Sequence, residues 1–325
     1  MALIQRLPID SHPLLEPKSF WLETPEFLRL HQTLTAWLWQ GASGGVLVGH
    51  NRVGKSWAVR ALQNRLRLRD GREVPMSYMS IVRRDRMTVA EVPRRACIDQ
   101  GLRFSKADTA DQLSETFLHH VLDAQATSGI RTSVLIVDEF GLLVPAQFSF
   151  FAELYDRLDR LNRTLMTVFV GNQDEALPLL NTLKQPRYRR ITGRFFKKFE
   201  TFYGVRTRIE LEAIMAQLDG HCFPEHGPTL TGRFLPDAVA AGWRLKSLAR
   251  PLWRVYSEIA RAHGLTSWGL EFLIPTLCLL VTDLLPRYGT DDVEDDLLRE
   301  AILLTNLTDE LDNTVREVTV EAPVS

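Results

Sequence analysis

Gly49-His50-Asn51-Arg52-Val53-Gly54-Lys55-Ser56 has the spacing G-x-x-x-x-G-K-[ST], that of a loop that holds phosphates. The residue types follow from that chemistry. Glycines at 49 and 54 let the backbone approach the phosphates and turn its N–H groups inward. A helix beginning near Lys55 adds the positive end of its dipole. Lys55 is placed to reach the β- and γ-phosphates, and the Ser56 hydroxyl to ligate Mg²⁺. The expected nucleotide contacts run from Gly49 through Trp57.

A second set of residues supplies what a phosphate loop lacks. Val134-Leu135-Ile136-Val137-Asp138-Glu139 reads as an apolar strand ending in two acids. Two carboxylates directly after a buried run are costly unless they serve chemistry. Asp138 is expected to support Mg²⁺, and Glu139 to polarise the attacking water as general base. The next apolar strand ends Phe169-Val170-Gly171-Asn172. There Asn172 could touch the γ-phosphate or the water, or simply cap a helix.

Strands and helices must alternate to bring these segments together. The spacing predicts a helix from Thr24-Pro25 to about Gln40, a strand over 45–48, and a helix through Trp57, Val59, Leu62 and Leu66 up to Asp70-Gly71. Further strands are expected over 76–82, 133–137 and 165–170, with helices over 111–126, 148–161 and 174–183. This order argues for a parallel sheet with helices on both faces. From about residue 206 the strand signals fade, and helices are expected over 209–218, 236–241, 245–262, 270–285 and 293–306. The expected division is an N-terminal arm (1–24), made extended by Pro8, Pro13 and Pro17, then a nucleotide-binding domain (25–205), an all-helical domain (206–313) and a tail (314–325).

The 325 residues carry 39 Lys and Arg against 40 Asp and Glu, so overall charge does not advertise a nucleic-acid partner. Local charge does. Arg83, Arg84, Arg86, Arg94, Arg95 and Lys106 follow the second strand, and Lys184, Arg187, Arg189, Arg190, Arg194, Lys197 and Lys198 crowd one segment without an acid. Such clusters suit DNA phosphates, and the second also suits an arginine completing a neighbouring subunit's nucleotide site; a solvated surface is the plain alternative. Cys97, Cys222 and Cys278 lack CxxC spacing and suit a reducing cytoplasm. His221-Cys222 and His226 read as a loop without metal. The apolar run 272–282, interrupted by Pro275, is too short to span a bilayer, so no membrane partner is expected.

Taken together these residues resemble AAA+ ATPases, and within them the TnsC/TniB type of transposition regulator found in CRISPR-associated transposons. The resemblance covers about residues 20 to 262. It rests on Glu23-Thr24-Pro25-Glu26-Phe27 and Leu34-Thr35-Ala36-Trp37-Leu38 before the phosphate loop, then Asp138-Glu139, Gly171-Asn172, Ala176 to Leu183 and Arg194-Phe195. Relatives often carry threonine where Asn172 stands. The resemblance implies an α/β P-loop AAA+ domain followed by an all-helical lid, with ATP and Mg²⁺ as cofactors. It implies Arg194 as the residue reaching a neighbour's nucleotide, and Lys246, or else Arg244, as a lid sensor in Gly242-Trp243-Arg244-Leu245-Lys246. It also implies a ring or helical filament of this chain on double-stranded DNA, held by Arg83, Arg84, Arg94, Arg95 and Lys106. The assembly would recruit a transposase subunit under direction of a target-selection protein or a CRISPR effector complex, and hydrolysis would dismantle it. Competing readings are a helicase-loader or IstB-like ATPase, a P-loop small-molecule kinase, and a signalling ATPase that binds protein alone.

Overall fold

The computed structural model describes residues 12–16, 20–83 and 88–307. The chain divides into two compact units, cut at Leu28/Arg29 and at Phe202/Tyr203, and the described N-terminal residues group with the C-terminal part. The boundaries expected from the sequence were 24/25 and 205/206. The arm is corrected in kind. Pro13–Leu15 form a 3₁₀ turn capped by His12, whose Nδ1 accepts from the Leu14 amide at 3.3 Å. Leu14, Phe20 and Leu22 are buried in the helical unit's core, because three apolar side chains outweigh the extended bias of the prolines. The remainder of the arm and the tail from 308 onward lie outside the described residues.

The larger unit begins within α1 (Pro25–Trp39) and holds β1 (Gly44–Gly49), α2 (Lys55–Ala61), β2 (Met76–Ser80), α3 (Glu91–Asp99), α4 (Ala110–Ser128), β3 (Thr132–Asp138), α5 (Phe148–Arg160), β4 (Thr164–Asn172), α6 (Gln173–Leu183), α7 (Arg189–Phe195) and β5 (Phe199–Thr201). Its strands form one parallel sheet in the order β2-β3-β4-β1-β5. β1 and nearly all of β3 and β4 are buried at every position, not at alternate ones. That pattern requires cover on both faces, which the helices between the strands supply. The register aligns Gly49 with Asn172 and Ser80 with Asp138, so the residues singled out for chemistry share the carboxyl edge of the sheet.

The helix after the phosphate loop is shorter than its spacing suggests. α2 stops at Ala61, and the chain then turns back on itself, with an isolated bridge between Arg67 and Glu73. Leu62 and Leu66 are still buried, whereas Trp57 is 44% exposed and leaves the expected apolar face. α3 and α7 and the three-residue β5 carry too little periodicity to be read in advance.

β2 is an edge strand, and α3 closes its free side. The Ser80 amide donates to Asp99 Oδ2 at 2.8 Å, Arg95 Nε donates to the Ser80 carbonyl at 3.0 Å, and Gln100 Nε2 donates to the Tyr78 carbonyl at 2.6 Å. These bonds occupy groups that would otherwise pair with another strand.

The helical unit holds α8 (Arg208–Gly220), α9 (Pro236–Ala240), α10 (Ala249–His263), α11 (Leu270–Leu279), α12 (Leu285–Tyr288) and α13 (Asp295–Leu303). The helix expected over 270–285 is α11 joined to α12 through a π turn at 280–284. Trp268 stacks on Tyr256 with centroids 4.2 Å apart inside its core. No helix among the described residues is long and apolar enough to cross a membrane.

Phe169 on β4 sits at the centre of an aromatic cluster with Phe140, Phe148, Phe151, Phe195 and Phe196. It is fully buried, so Phe169→Ala should cost about 3–5 kcal/mol through lost transfer energy and a cavity. Phe199, at 54% exposure, should tolerate the same change at under about 1 kcal/mol. Urea unfolding of the two variants would check both values.

Candidate functional site

The phosphate loop joins β1 to α2 through Gly54, whose φ of +101° is the left-handed region that glycine adopts without a Cβ penalty. Lys55, the first residue of α2, is 8% exposed. Its Nζ donates to the Gly49 carbonyl at 2.8 Å and to the His50 carbonyl at 2.6 Å. Burial lowers the pKa of Lys55, while Glu139, Asp138 and Glu175 oppose that shift with their charge. Ser56 is half-buried beside it, and His50, Asn51 and Arg52 are exposed along the loop around the buried Val53. His50 Nδ1 lies 3.9 Å from Asp174 Oδ2.

Asp138 ends β3 at 2% exposure. Its Oδ1 accepts from the Glu139 amide at 3.0 Å, and its Oδ2 accepts from the Tyr78 hydroxyl at 2.6 Å. Arg60 on α2 donates to the same hydroxyl at 3.1 Å and lies over the Tyr78 ring. Burial, with help from the Asp138 charge, pushes the Tyr78 hydroxyl's pKa above its ordinary value, so it stays a donor. Glu139 has φ +58°, a left-handed conformation unusual outside glycine and concentrated at functional sites. Its pKa is raised, first by burial and then by the charges of Asp138 and Glu175.

Asn172 is the N-cap of α6. Its Oδ1 accepts from the Asp174 amide at 2.7 Å and the Glu175 amide at 3.3 Å. The capping alternative is thus realised, and the side-chain amide is left as the group for any second role. Glu175, placed in the first turn of α6 by that cap, is an acid of this site that the sequence reading missed. Tyr78 and Arg60 were missed too. Tyr78 belongs to a strand whose burial alternates, and only the pairing of β2 with β3 reveals which acid it faces.

The donors suit a hard divalent cation. Ser56 and Asp138 offer oxygen only, and three carboxylates against one ammonium leave the site negative. Among the described residues no three or more His, Cys, Asp or Glu form a metal cage. Mg²⁺ does not require one, because it is held through one or two protein oxygens, substrate phosphates and water.

Other expected residues lie elsewhere. Arg194 is only 19% exposed at its side chain: it pairs with Asp156 at 2.7 Å, donates to the Ala152 carbonyl at 3.2 Å and lies over the Tyr155 ring. It holds α7 to α5 within its own subunit. Arg190 shares Asp156 at 2.6 Å with 74% of its side chain exposed. In the helical unit Lys246 and Arg244 are both exposed. The Lys246 amide is bound by Asp219, and the Arg244 guanidinium by the Val239 and Trp243 carbonyls.

Of the residues expected on DNA, Arg83 and Lys106 are exposed. The half-buried Arg94 guanidinium lies 5.9 Å from the Phe104 ring centroid. Arg95 pairs with Asp99 at 2.8 Å and helps to close the edge of β2. Arg84 and Arg86 lie outside the described residues.

An AAA domain family matches residues 39–180, which contain the phosphate loop, Asp138, Glu139 and Asn172. No curated protein matches the sequence. Among solved structures, the ORC2 protein of Aeropyrum pernix in its ADP form is similar at a TM-score of 0.55 and 15% identity, over 87% of this chain and 69% of that one. A Walker-type ATPase of Pyrococcus abyssi is similar at 0.53 and 14% identity, over 97% and 80%. At such identities the likeness speaks for fold alone.

An unfolded glutamate loses its proton near about pH 4.3, and Glu139 loses its own at higher pH in the folded chain. Between those values the folded chain holds more protons on this group, so the group's contribution to stability falls as pH rises through that window. Glu139→Gln should therefore melt above the parent protein at pH 7, without nucleotide and in chelator. The gap should close as the pH is brought below that of an ordinary glutamate. Circular-dichroism melts across pH would check it.

Proposed function

We propose that this chain, which has the AAA+ P-loop fold, binds ATP with Mg²⁺, hydrolyses it, and in its ATP-bound state assembles on double-stranded DNA. The observation that carries the reading is the convergence of the Lys55 ammonium, the buried Asp138 and the left-handed Glu139 at one edge of the sheet. Loop amides and Lys55 would bind the phosphates. Ser56 and Asp138 would hold Mg²⁺, which when bound neutralises charge on the outer phosphates. Glu139, whose carboxylate is more basic than usual, would take the proton of the attacking water. The amide of Asn172 is the group to orient that water or the γ-phosphate.

Regulation of transposition is the finer form of this proposal. Its support is the order of motifs from Thr24-Pro25 to Arg194-Phe195, and its partners would be a transposase subunit and a target-selecting protein or CRISPR effector. Completion of a neighbour's site by Arg194 requires release from Asp156, whereas Arg190, on the same helix, already stands in solvent. Lys246 is proposed as the lid sensor. Contacts to DNA phosphates fall to Arg83, Arg94 and Lys106, since Arg95 is engaged in the fold.

Glu139→Gln should keep ATP binding and lower turnover by about 10²–10⁴-fold, while Lys55→Ala should weaken binding itself. Phosphate release and ATP titration separate the two, and normal turnover in Glu139→Gln would exclude that residue as the base. Duplex binding should require ATP and fall steeply with salt; Arg83→Ala combined with Lys106→Ala should reduce the salt slope by about two. Fluorescence anisotropy across a salt series, with and without a slowly hydrolysed ATP analogue, measures this. Affinity indifferent to both salt and nucleotide would remove DNA from the proposal.

A further inference from the structure

Tyr78 and Arg60 lie outside the phosphate loop and outside the acidic strand end, yet both bear on Asp138. Tyr78 stands on β2 across from Ile136, two residues before the point where Ser80 pairs with Asp138. Its hydroxyl therefore reaches diagonally along the sheet to Asp138 Oδ2, at 2.6 Å. The ring is anchored at its backbone, where Gln100 Nε2 donates to the Tyr78 carbonyl at 2.6 Å. The hydroxyl in turn accepts from Arg60 Nη2 at 3.1 Å, and a guanidinium behind a hydroxyl makes it a stronger donor. Arg60 belongs to α2, the helix that begins at Lys55. A continuous chain of hydrogen bonds thus runs from the phosphate-loop helix through Tyr78 to the acid, and ends at the Glu139 amide on Oδ1.

We propose that Tyr78, polarised by Arg60, is a positioning residue that fixes the orientation in which Asp138 meets the Mg²⁺ of a bound nucleotide. The inference rests on the proposed nucleotide function of this site. A carboxylate has about four lone-pair positions, two on each oxygen. The Glu139 amide and the Tyr78 hydroxyl each take one, from opposite oxygens, and this leaves one on each oxygen for the metal shell. A carboxylate at a strand end with a single amide donor could rotate about its terminal torsion, which is broad. The second donor removes that freedom before the ligand arrives, which is the advantage of a preorganised site. Because the donor's support comes from α2, a shift of the phosphate loop is transmitted to the acid without a covalent link.

The test uses the full chain and Tyr78→Phe, which deletes one oxygen and retains the ring. ATP affinity is measured by titration calorimetry in chelator and again in saturating Mg²⁺. Tyr78→Phe should leave the metal-free affinity unchanged, since the hydroxyl's partners are Asp138 and Arg60 and neither lies in the phosphate loop. It should shrink the factor by which Mg²⁺ tightens ATP binding by about tenfold, the usual loss for one hydrogen bond to a charged group. Arg60→Ala, which leaves the hydroxyl in place, should give a smaller loss of the same kind. In turnover, the Mg²⁺ concentration for half-maximal rate should rise while the ATP requirement at saturating Mg²⁺ changes little. An equal loss with and without Mg²⁺ would mark a merely structural residue and overturn the proposal. So would an unchanged or enlarged Mg²⁺ factor, which would show the hydroxyl only quenching the acid. A parent protein whose ATP affinity ignores Mg²⁺ would overturn the nucleotide reading, and this inference with it.

Discussion

One ammonium faces three carboxylates at the carboxyl edge of the sheet, and much of the architecture serves that imbalance. Lys55 is buried, which lowers its pKa, and Asp138, Glu139 and Glu175 oppose that shift. Like charges this close repel one another, and burial strengthens the repulsion because less water screens it. Each acid is accordingly held by a separate element. Asp138 ends β3, Glu139 follows it with a left-handed backbone of its own, and Glu175 is set by the cap on α6. A polyphosphate with a divalent cation would bring both signs of charge into the same space, and such a ligand would relieve a tension that the protein alone carries.

The strands of this sheet were legible because burial on both faces leaves continuous apolar runs, and those runs end where polar chemistry begins. β3 and β4 were read to within two residues at each end, and Asp138, Glu139 and Asn172 were found from the same discontinuity. Short elements were not legible. β5 has three residues and gains its place from pairing with β1, not from its own pattern. α7 spans seven residues of basic sequence and is held by Phe195 in the aromatic cluster. Tyr78 was invisible for a different reason: its partner lies 60 residues away, and only the register of two parallel strands joins them.

Counting charges located the basic segments but could not tell which side chains were already engaged. Arg95 and Arg194 belong to dense basic runs, yet each faces an acid of its own subunit: Asp99 one helical turn ahead, and Asp156 on α5. Asp99 lies among the basic residues counted after β2, and Asp156 lies outside the segment 184–198. An arginine fork that makes two contacts and lies against a ring is a packing element, and its charge is spent before a ligand arrives. Arg83 and Lys106, by contrast, have exposed side chains.

Glu139 shows how such a site is sustained. Its backbone is in a region that costs energy for a residue with a Cβ, and its carboxylate is repelled by two neighbours. Strain of this kind persists only where the surroundings over-determine it. The next residue, Phe140, is fully buried, and it packs edge-on against Phe169, itself surrounded by four further phenylalanine rings. Gly171 completes the seat, since a Cβ there would stand 2.9 Å from the Phe140 ring. Burial of aromatic area behind the turn therefore offsets the strain in front of it, and the same cluster ties α5, β4 and α7 together. The catalytic candidate and the core beneath it are one mechanical unit: loosening Phe140 would let Glu139 relax to an ordinary conformation, lowering its energy and re-aiming its carboxylate.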